Sequence, residues 1–448
     1  MAKESPPKNL SESERTKRLD QIAWITLFDS AVQWYCFLLY GTAAGTVFNK
    51  VFFSQVDDPN VALILSYMSF AIGYIAGPFG AVFFGHVGDR RGRKYTMLAS
   101  LILMGVSTSI IGLLPPAATA GVWTAVALQL MRIGQCFGRG GTWGGSILLA
   151  YENVPEHRRS LYGAIPQIGL PVGFGLSSIL IAIPSITMDE EKFLSYGWRV
   201  PFLAAIILTI LVVVLKEKLS ETDDFKEAQA RLEAQDKEAA REKLGFIPMV
   251  KGYWVTLLLG AGTRWVDGTF YNIFIVWILS YCIIYLDMPV FETYLITIIA
   301  CVFKIPATFL GGWVASKIGN TNTFVIGALS SAVLSIPTLK LIEATKGHFL
   351  LTTTVIVIGW SIAYNLIWAC MGSLWSSYFE TEVRYSGISF VYHVPSFLVA
   401  GMVPPICTYL VSVADGDTIW VGVFSTVVAL ISAWCAIELR RRARKGLK

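Results

Sequence analysis

The sequence predicts an all-α membrane protein of about 12 transmembrane helices in two six-helix halves. Three observations carry this. First, 54% of the 448 residues are hydrophobic and 15% charged, against roughly 25% charged in an ordinary soluble domain. Second, apolar runs recur along the whole chain at the length that crosses about 30 Å of hydrocarbon. Third, basic residues gather in alternate connections, the pattern that fixes topology in a bilayer.

In chain order, the first half offers spans over residues 22–48, 62–85, 95–116, 121–151, 160–187 and 200–215. A highly charged stretch follows, with "KEKLSETDDFKEAQARLEAQDKEAAREK" at its heart. It is rich in helix formers but lacks an apolar face, which marks a linker outside the membrane. The second half offers spans over 253–286, 290–315, 322–343, 349–375, 385–413 and 417–438. The chain thus divides into an N-terminal half (1–215), a linker (216–251) and a C-terminal half with a basic tail (252–448).

Charge placement orients the chain. With the N-terminus inside, 27 of the 36 basic residues fall on the inner side and 5 on the outer, so both termini are expected to face the cytoplasm. The first twenty residues are polar, and no cleaved signal peptide is expected. The seven cysteines fall inside apolar stretches without disulfide or metal spacing and read as small buried hydrophobes. The net charge of +5 sits at helix ends and is no nucleic-acid signal. No metal-spaced histidines, nucleophile elbow or phosphate loop is present, so neither an enzyme nor a cofactor is expected.

Gly85-His86-Val87-Gly88-Asp89-Arg90-Arg91-Gly92-Arg93-Lys94 joins spans two and three. It resembles the signature loop of the major facilitator superfamily, where an aspartate, arginines and turn glycines form a cytoplasmic gate. Gly311-Gly312 through Gly319-Asn320 is a worn copy in the second half, keeping glycines but not the acid. A narrower set of matches is Arg132-Ile133-Gly134-Gln135, Gly140-Gly141-Thr142-Trp143-Gly144-Gly145, Glu152 with Arg158-Arg159, Gln167-Ile168-Gly169, Gly197 to Phe202, and Arg384-Tyr385-Ser386-Gly387. Together they resemble the metabolite:proton symporter family, which carries small organic acids and zwitterionic osmolytes with protons. The resemblance implies the major facilitator fold, with gating by Gly85, Asp89, Arg90, Gly92, Arg93, Glu152 and Arg158.

The departures bear on function. Where that family has Glu-Trp-Tyr-Asp-Phe, this chain has Gln33-Trp34-Tyr35-Cys36-Phe37, and Thr142 replaces an acid in the fourth helix. A linked set of charges is neutralised together, consistent with the penalty on an orphan charge in lipid. The surviving charges are Asp29, Arg132, Arg139, Arg264, Asp267 and Lys304, joined near neutral pH by His393. The resemblance turns helices one, four, seven and ten toward a central cavity. Gln33, Tyr35, Arg132, Arg139, Thr142, Arg264, Tyr364 and Trp368 are therefore the expected substrate contacts. Asp29, Asp267 and His393 are the expected proton carriers. Blander roles stand beside these: Arg132 holding backbone carbonyls, Asp267 paired with Lys304, Asp29 paired with an arginine, aromatics as packing. Four positive charges against two negative favour a carboxylate-bearing solute. The expected protein is a monomeric proton symporter for a small organic anion in the cell inner membrane. An uncoupled facilitator or channel-like carrier for a neutral or zwitterionic solute, and a drug exporter, are the alternatives.

Overall fold

The computed structural model describes residues 12–91, 93–142, 159–217, 246–379 and 384–446, and among them the chain is helical without strands. The first half contributes α1 (Glu12–Thr46), α2 (Pro59–Arg91), α3 (Arg93–Ile111), α4 (Val122–Gly140), α5 (Arg159–Thr187) and α6 (Arg199–Glu217). In the second half, α7 runs over Phe246–Tyr271, passes through a π-helical stretch at Asn272–Trp277 and ends with Ile278–Ile284. Next come α8 (Val290–Ile318) and α9 (Asn320–Ala344). The helix α10 joins Phe349–Ile356, a π stretch Val357–Ala363 and Tyr364–Ser376. The helix α11 joins Arg384–His393, a π stretch Phe397–Gly401 and Val403–Val413, and α12 spans Ile419–Arg444. Among the described residues, nine helices are long and apolar enough to cross a membrane. The helix α3 is short, and α1 and α4 carry buried polar and charged residues that lower their apolar character.

Three boundaries differ from expectation. The fourth span was expected to run unbroken to residue 151; α4 closes at Gly140, where Gly138, Gly140 and Gly141 weaken the helix and the backbone turns, and residues 143–151 lie outside the described residues. The segment from Gly85 was expected to be a loop, yet α2 stays helical through Arg91. Helix α7 starts at Phe246, ahead of residue 253, and kinks where Tyr253 leaves helical geometry (φ −125°, ψ 18°). In the worn copy, Gly311 and Gly312 lie inside α8, and the turn falls at Gly319, whose φ of +86° suits glycine.

Within the first half, α1 packs on α5 and α6, α2 on α4, and α3 on α4 and α6. Within the second, α7 packs on α11 and α12, α9 on α10 and α12, and α8 on α10. The halves meet along α5 with α8 and α10, α2 with α11, and α1 with α7. Close approach between α2 and α4 depends on glycine. A Cβ on Gly80 would overlap the Phe137 carbonyl, and one on Gly140 would overlap the backbone of Gly77 and Ala81. The surface of the bundle exposes Phe79, Ile207, Val333 and Leu398, while Gln33, Arg132, Asp267 and Lys304 are fully buried or nearly so. Apolar outside and polar within is the arrangement lipid favours as solvent. All seven cysteines are buried, as small hydrophobes should be.

Candidate functional site

On α1, Asp29 and Gln33 lie one turn apart on the same face. Gln33 Nε2 donates to Asp29 Oδ2 at 2.9 Å, and Thr142 Oγ1, just beyond the end of α4, donates to Gln33 Oε1 at 2.7 Å. Gln33 and Thr142, two of the three residues standing where the family pattern has acids, are thus joined by hydrogen bonds ending on one buried carboxylate. Tyr35 faces elsewhere: its hydroxyl donates to the Pro201 carbonyl on α6 at 2.5 Å.

The two arginines of α4 have different surroundings. Arg132 is enclosed by the rings of Phe37, Tyr40 and Phe70, each 4.4–4.5 Å away. It donates to the Phe70 carbonyl at 3.4 Å and to Gln135, which in turn donates to the Cys36 carbonyl and Thr108 Oγ1. That pattern ties α4 to α1, α2 and α3. Arg139 lies where the halves meet. Its guanidinium sits 3.7 Å from the Phe37 ring centre and 4.4 Å from that of Trp34, and Nη2 donates to the Tyr392 hydroxyl on α11 at 2.6 Å. Among the described residues no carboxylate pairs with it.

In the second half, Arg264 and Asp267 form an ion pair one turn apart, with side chains 1% and 0% exposed. The Tyr364 hydroxyl also donates to Asp267. The pair considered between Asp267 and Lys304 does not form. Both oxygens of Asp267 are taken, and the Tyr364 ring stands 4.3 Å from Lys304 Nζ. Lys304 Nζ is wholly buried, has no hydrogen-bond partner among the described residues, and faces only the rings of Tyr364 and Trp360, the latter at 4.4 Å. A desolvated cation–π contact is worth about 2 kcal/mol, while removing an ammonium from water costs several kcal/mol. The rings alone do not offset burial of the charge. His393 stacks edge-on to Tyr392 at 4.9 Å and packs against Gly77 of α2, and its Nε2 has no partner among the described residues.

Between these clusters the centre is filled by aromatic side chains. Trp34 meets Trp368 at 5.4 Å and Tyr271 at 5.9 Å, both edge-on. Tyr271 is hydrogen-bonded to Tyr74 of α2. Trp368 Nε1 donates to the Gln167 carbonyl at 2.9 Å, and Gln167 Nε2 donates to the Trp368 carbonyl at 3.1 Å, so α5 and α10 are doubly tied. Toward the end of α1, Tyr294 donates to Thr46 and Tyr67 bonds Ser280, closing the seam between the halves. Trp34, Tyr271, Tyr364 and Trp368 are no more than 1% exposed, so the centre is occluded.

Of the expected contacts, Arg139 and Trp368 bond across this inter-half seam, whereas the hydrogen bonds of Gln33, Tyr35, Arg132 and Thr142 stay within the first half and those of Arg264 and Tyr364 within the second. Tyr74, Gln167 and Tyr392 belong to the seam without having been singled out as contacts. Aromatic and amide residues are common in such helices, and only their partners across the seam distinguish them. The expected gate falls outside the described residues. For Gly85, Asp89, Arg90 and Arg93 only helical backbone is described, and Gly92, Glu152 and Arg158 lie outside altogether. Among the described residues no group of three or more histidine, cysteine or acidic side chains is placed to hold a metal.

Comparison with known proteins agrees with this architecture. Among curated relatives, the inner membrane metabolite transport protein YhjE of Escherichia coli (strain K12) is 35% identical over 86% of each chain. The shikimate transporter of the same organism is 29% identical over 93% of each. The proline/betaine transporter of Salmonella typhimurium is 28% identical over 94% of this chain and 83% of its own. Among solved structures, a D-xylose–proton symporter superposes with a TM-score of 0.70 at 18% identity, covering 92% of this chain and 97% of that one. A likeness at that identity speaks for the 12-helix fold. The family model of the Major Facilitator Superfamily matches residues 22–404, nearly the whole membrane region, and with these relatives it makes the chain a multi-pass membrane transporter belonging to that superfamily.

Proposed function

We propose that the protein is a secondary active transporter of the inner membrane, moving a small carboxylate-bearing metabolite together with protons by alternating access. The observation that carries this is Arg139, buried at the junction of the halves with three aromatic rings and a tyrosine hydroxyl about it and no carboxylate pairing with it among the described residues. A guanidinium so placed is a fork for a planar anion. The surplus of basic over acidic charge within the spans favours the same sign of solute. Shikimate, proline and betaine, the solutes in the relatives' names, all bear a carboxylate.

In this reading the anion meets Arg139, with Gln33, Thr142, Tyr364 and Trp368 around it, and Arg264 holds Asp267 in place. Asp29, Asp267 and His393 are the titratable set for the proton. Asp267 is committed to Arg264 and Tyr364, which leaves Asp29 as the favoured acid. Both termini face the cytoplasm, the halves divide at the 216–251 linker, and residues 85–93 with Glu152 and Arg158 gate the inner side. The monomer is the working unit.

The test is uptake of radiolabelled shikimate, proline and betaine into proteoliposomes, with the methyl esters and amides as competitors. The expected result is saturable counterflow for at least one acid, competition only by carboxylates, and accumulation driven by an inward proton gradient. Counterflow without accumulation assigns an uncoupled facilitator instead. Equal competition by acid and amide removes the anion from the reading.

A further inference from the structure

Lys304 is a buried basic group that forms no ion pair and has no hydrogen-bond acceptor among the described residues. Its helix packs against α5, α7, α9 and α10. The titratable groups around it are few. Cys301 lies one turn back on α8, and Tyr364 on α10 presents its ring face while its hydroxyl is turned to Asp267. Asp267 on α7 is held by Arg264, and Cys282 on α7 lies across a small cavity beyond Trp360. Neither α5 over residues 167–185 nor α9 over 320–339 has a titratable side chain. An amine shut between two ring faces, with no acceptor, is in the environment that disfavours its charged form.

We infer that Lys304 is a proton site that fills and empties with the substrate: a neutral amine in the empty occluded state and an ammonium when a carboxylate is enclosed. This rests on the anion reading above and deepens it. In the open cavity, water delivers a proton to the Nζ lone pair and an N–H bond forms. When an anion enters and the centre closes, one negative and one positive charge are added together. The net charge of the closed centre is then the same loaded as empty, so both forms cross the occluded stage without an uncompensated charge. On release to the other side the N–H bond breaks and the proton leaves to water with the anion. Coupling of one proton to one monoanion follows without the acids missing from α1.

The charge state of Lys304 can be read directly. Protein carrying lysine labelled with 13C at Cε is reconstituted in nanodiscs without substrate, and its spectrum is compared with that of Lys304→Met, whose unbranched side chain fills the same space. The expected result is one resonance, absent from the variant, at the neutral-amine position near neutral pH while the other lysines are charged. A charged Lys304 in this empty protein overturns the inference whatever the protein transports. A second arm measures proton uptake on adding shikimate, a monoanion, in weakly buffered solution: wild type takes up protons as it binds, and Lys304→Met binds without uptake. Lys304→Arg, which cannot discharge, should keep counterflow and lose gradient-driven accumulation by about tenfold or more, the effect of one lost proton across a unit of pH gradient. Undiminished accumulation in Lys304→Arg also overturns the inference. Failure of counterflow for every carboxylate in wild type would instead remove the substrate reading and leave the amine's charge state standing.

Discussion

Replacing Asp267 by asparagine keeps its shape and removes its charge, which isolates what the ion pair with Arg264 supplies. Both side chains are at most 1% exposed, so water does not take the place of the lost partner. Arg264 already has one nitrogen, Nε, without a hydrogen-bond acceptor, and its other close neighbour is the face of Tyr392 at 4.4 Å. Breaking a buried pair by removing one member costs about 3–5 kcal/mol, because the survivor keeps its desolvation penalty. Weakening of the Tyr364 hydrogen bond falls within the same loss, since its acceptor changes from an ion to an amide. Replacing both members, as Arg264→Met with Asp267→Leu, removes the orphan charge and should recover most of the stability. The assay is equilibrium unfolding in mixed micelles for wild type, Asp267→Asn, and Arg264→Met, Asp267→Leu and their double, the last three closed with wild type as a thermodynamic cycle. A coupling of about 3 kcal/mol is expected. A loss under about 1 kcal/mol for Asp267→Asn, or additive single effects, would show that the pair is hydrated or unmade and refute the reasoning.

Three further expectations follow from the same structure. Arg139→Ala should weaken binding of a carboxylate solute by about 1.5–3 kcal/mol, the worth of a charged hydrogen bond, with Arg139→Lys failing to restore it because a point charge lacks the fork; titration calorimetry with the solute identified by counterflow decides this. Gly80→Ala should destabilise by at least about 1–3 kcal/mol, since the added methyl meets the Phe137 carbonyl and backbone cannot yield, whereas Gly252→Ala, with open space around it, should stay within about 0.5 kcal/mol in thermal unfolding. Asp417, in the turn before α12, is held below its ordinary value of 3.8 by the Lys340 ammonium and then by the Ile419 backbone N–H. A depressed carboxyl stabilises above its unfolded pKa and loses that contribution as pH falls through the folded value. The stability difference between wild type and Asp417→Asn should therefore be full near neutral pH, vanish on acidification below about pH 4, and shrink with salt.

Much of the fold was legible because bilayer thickness sets a length and lysine placement alternates, so twelve spans could be counted without any partner in view. Within the fourth span the glycines around residue 140 end the helix although the apolar composition runs on, because composition does not register a backbone turn. The site was legible as an inventory of charges and not as an arrangement. Arg139 and Arg132 sit seven residues apart on one helix, yet one reaches the seam and the other is enclosed by rings of its own half. Asp267 has Arg264 on its own turn and Tyr364 across the interface, and nothing in the sequence says that these would leave Lys304 without it. Helix rotation decides such questions, and in α7, α10 and α11 the π stretches shift the register midway, which a 3.6-residue periodicity does not register. Tyr392 and Tyr74 were invisible for the same reason.

The burial of every cysteine gives the protein a silent background for thiol chemistry. Cys36 on α1 and Cys301 on α8 are both closed off from solvent in the occluded form, Cys301 one turn from Lys304. A water-soluble maleimide that cannot cross the bilayer therefore has no substrate until the helices part. The rate at which each of these thiols becomes modified, with reagent on one side of the vesicle only, is a clock for opening toward that side, running in the native chain without an added label.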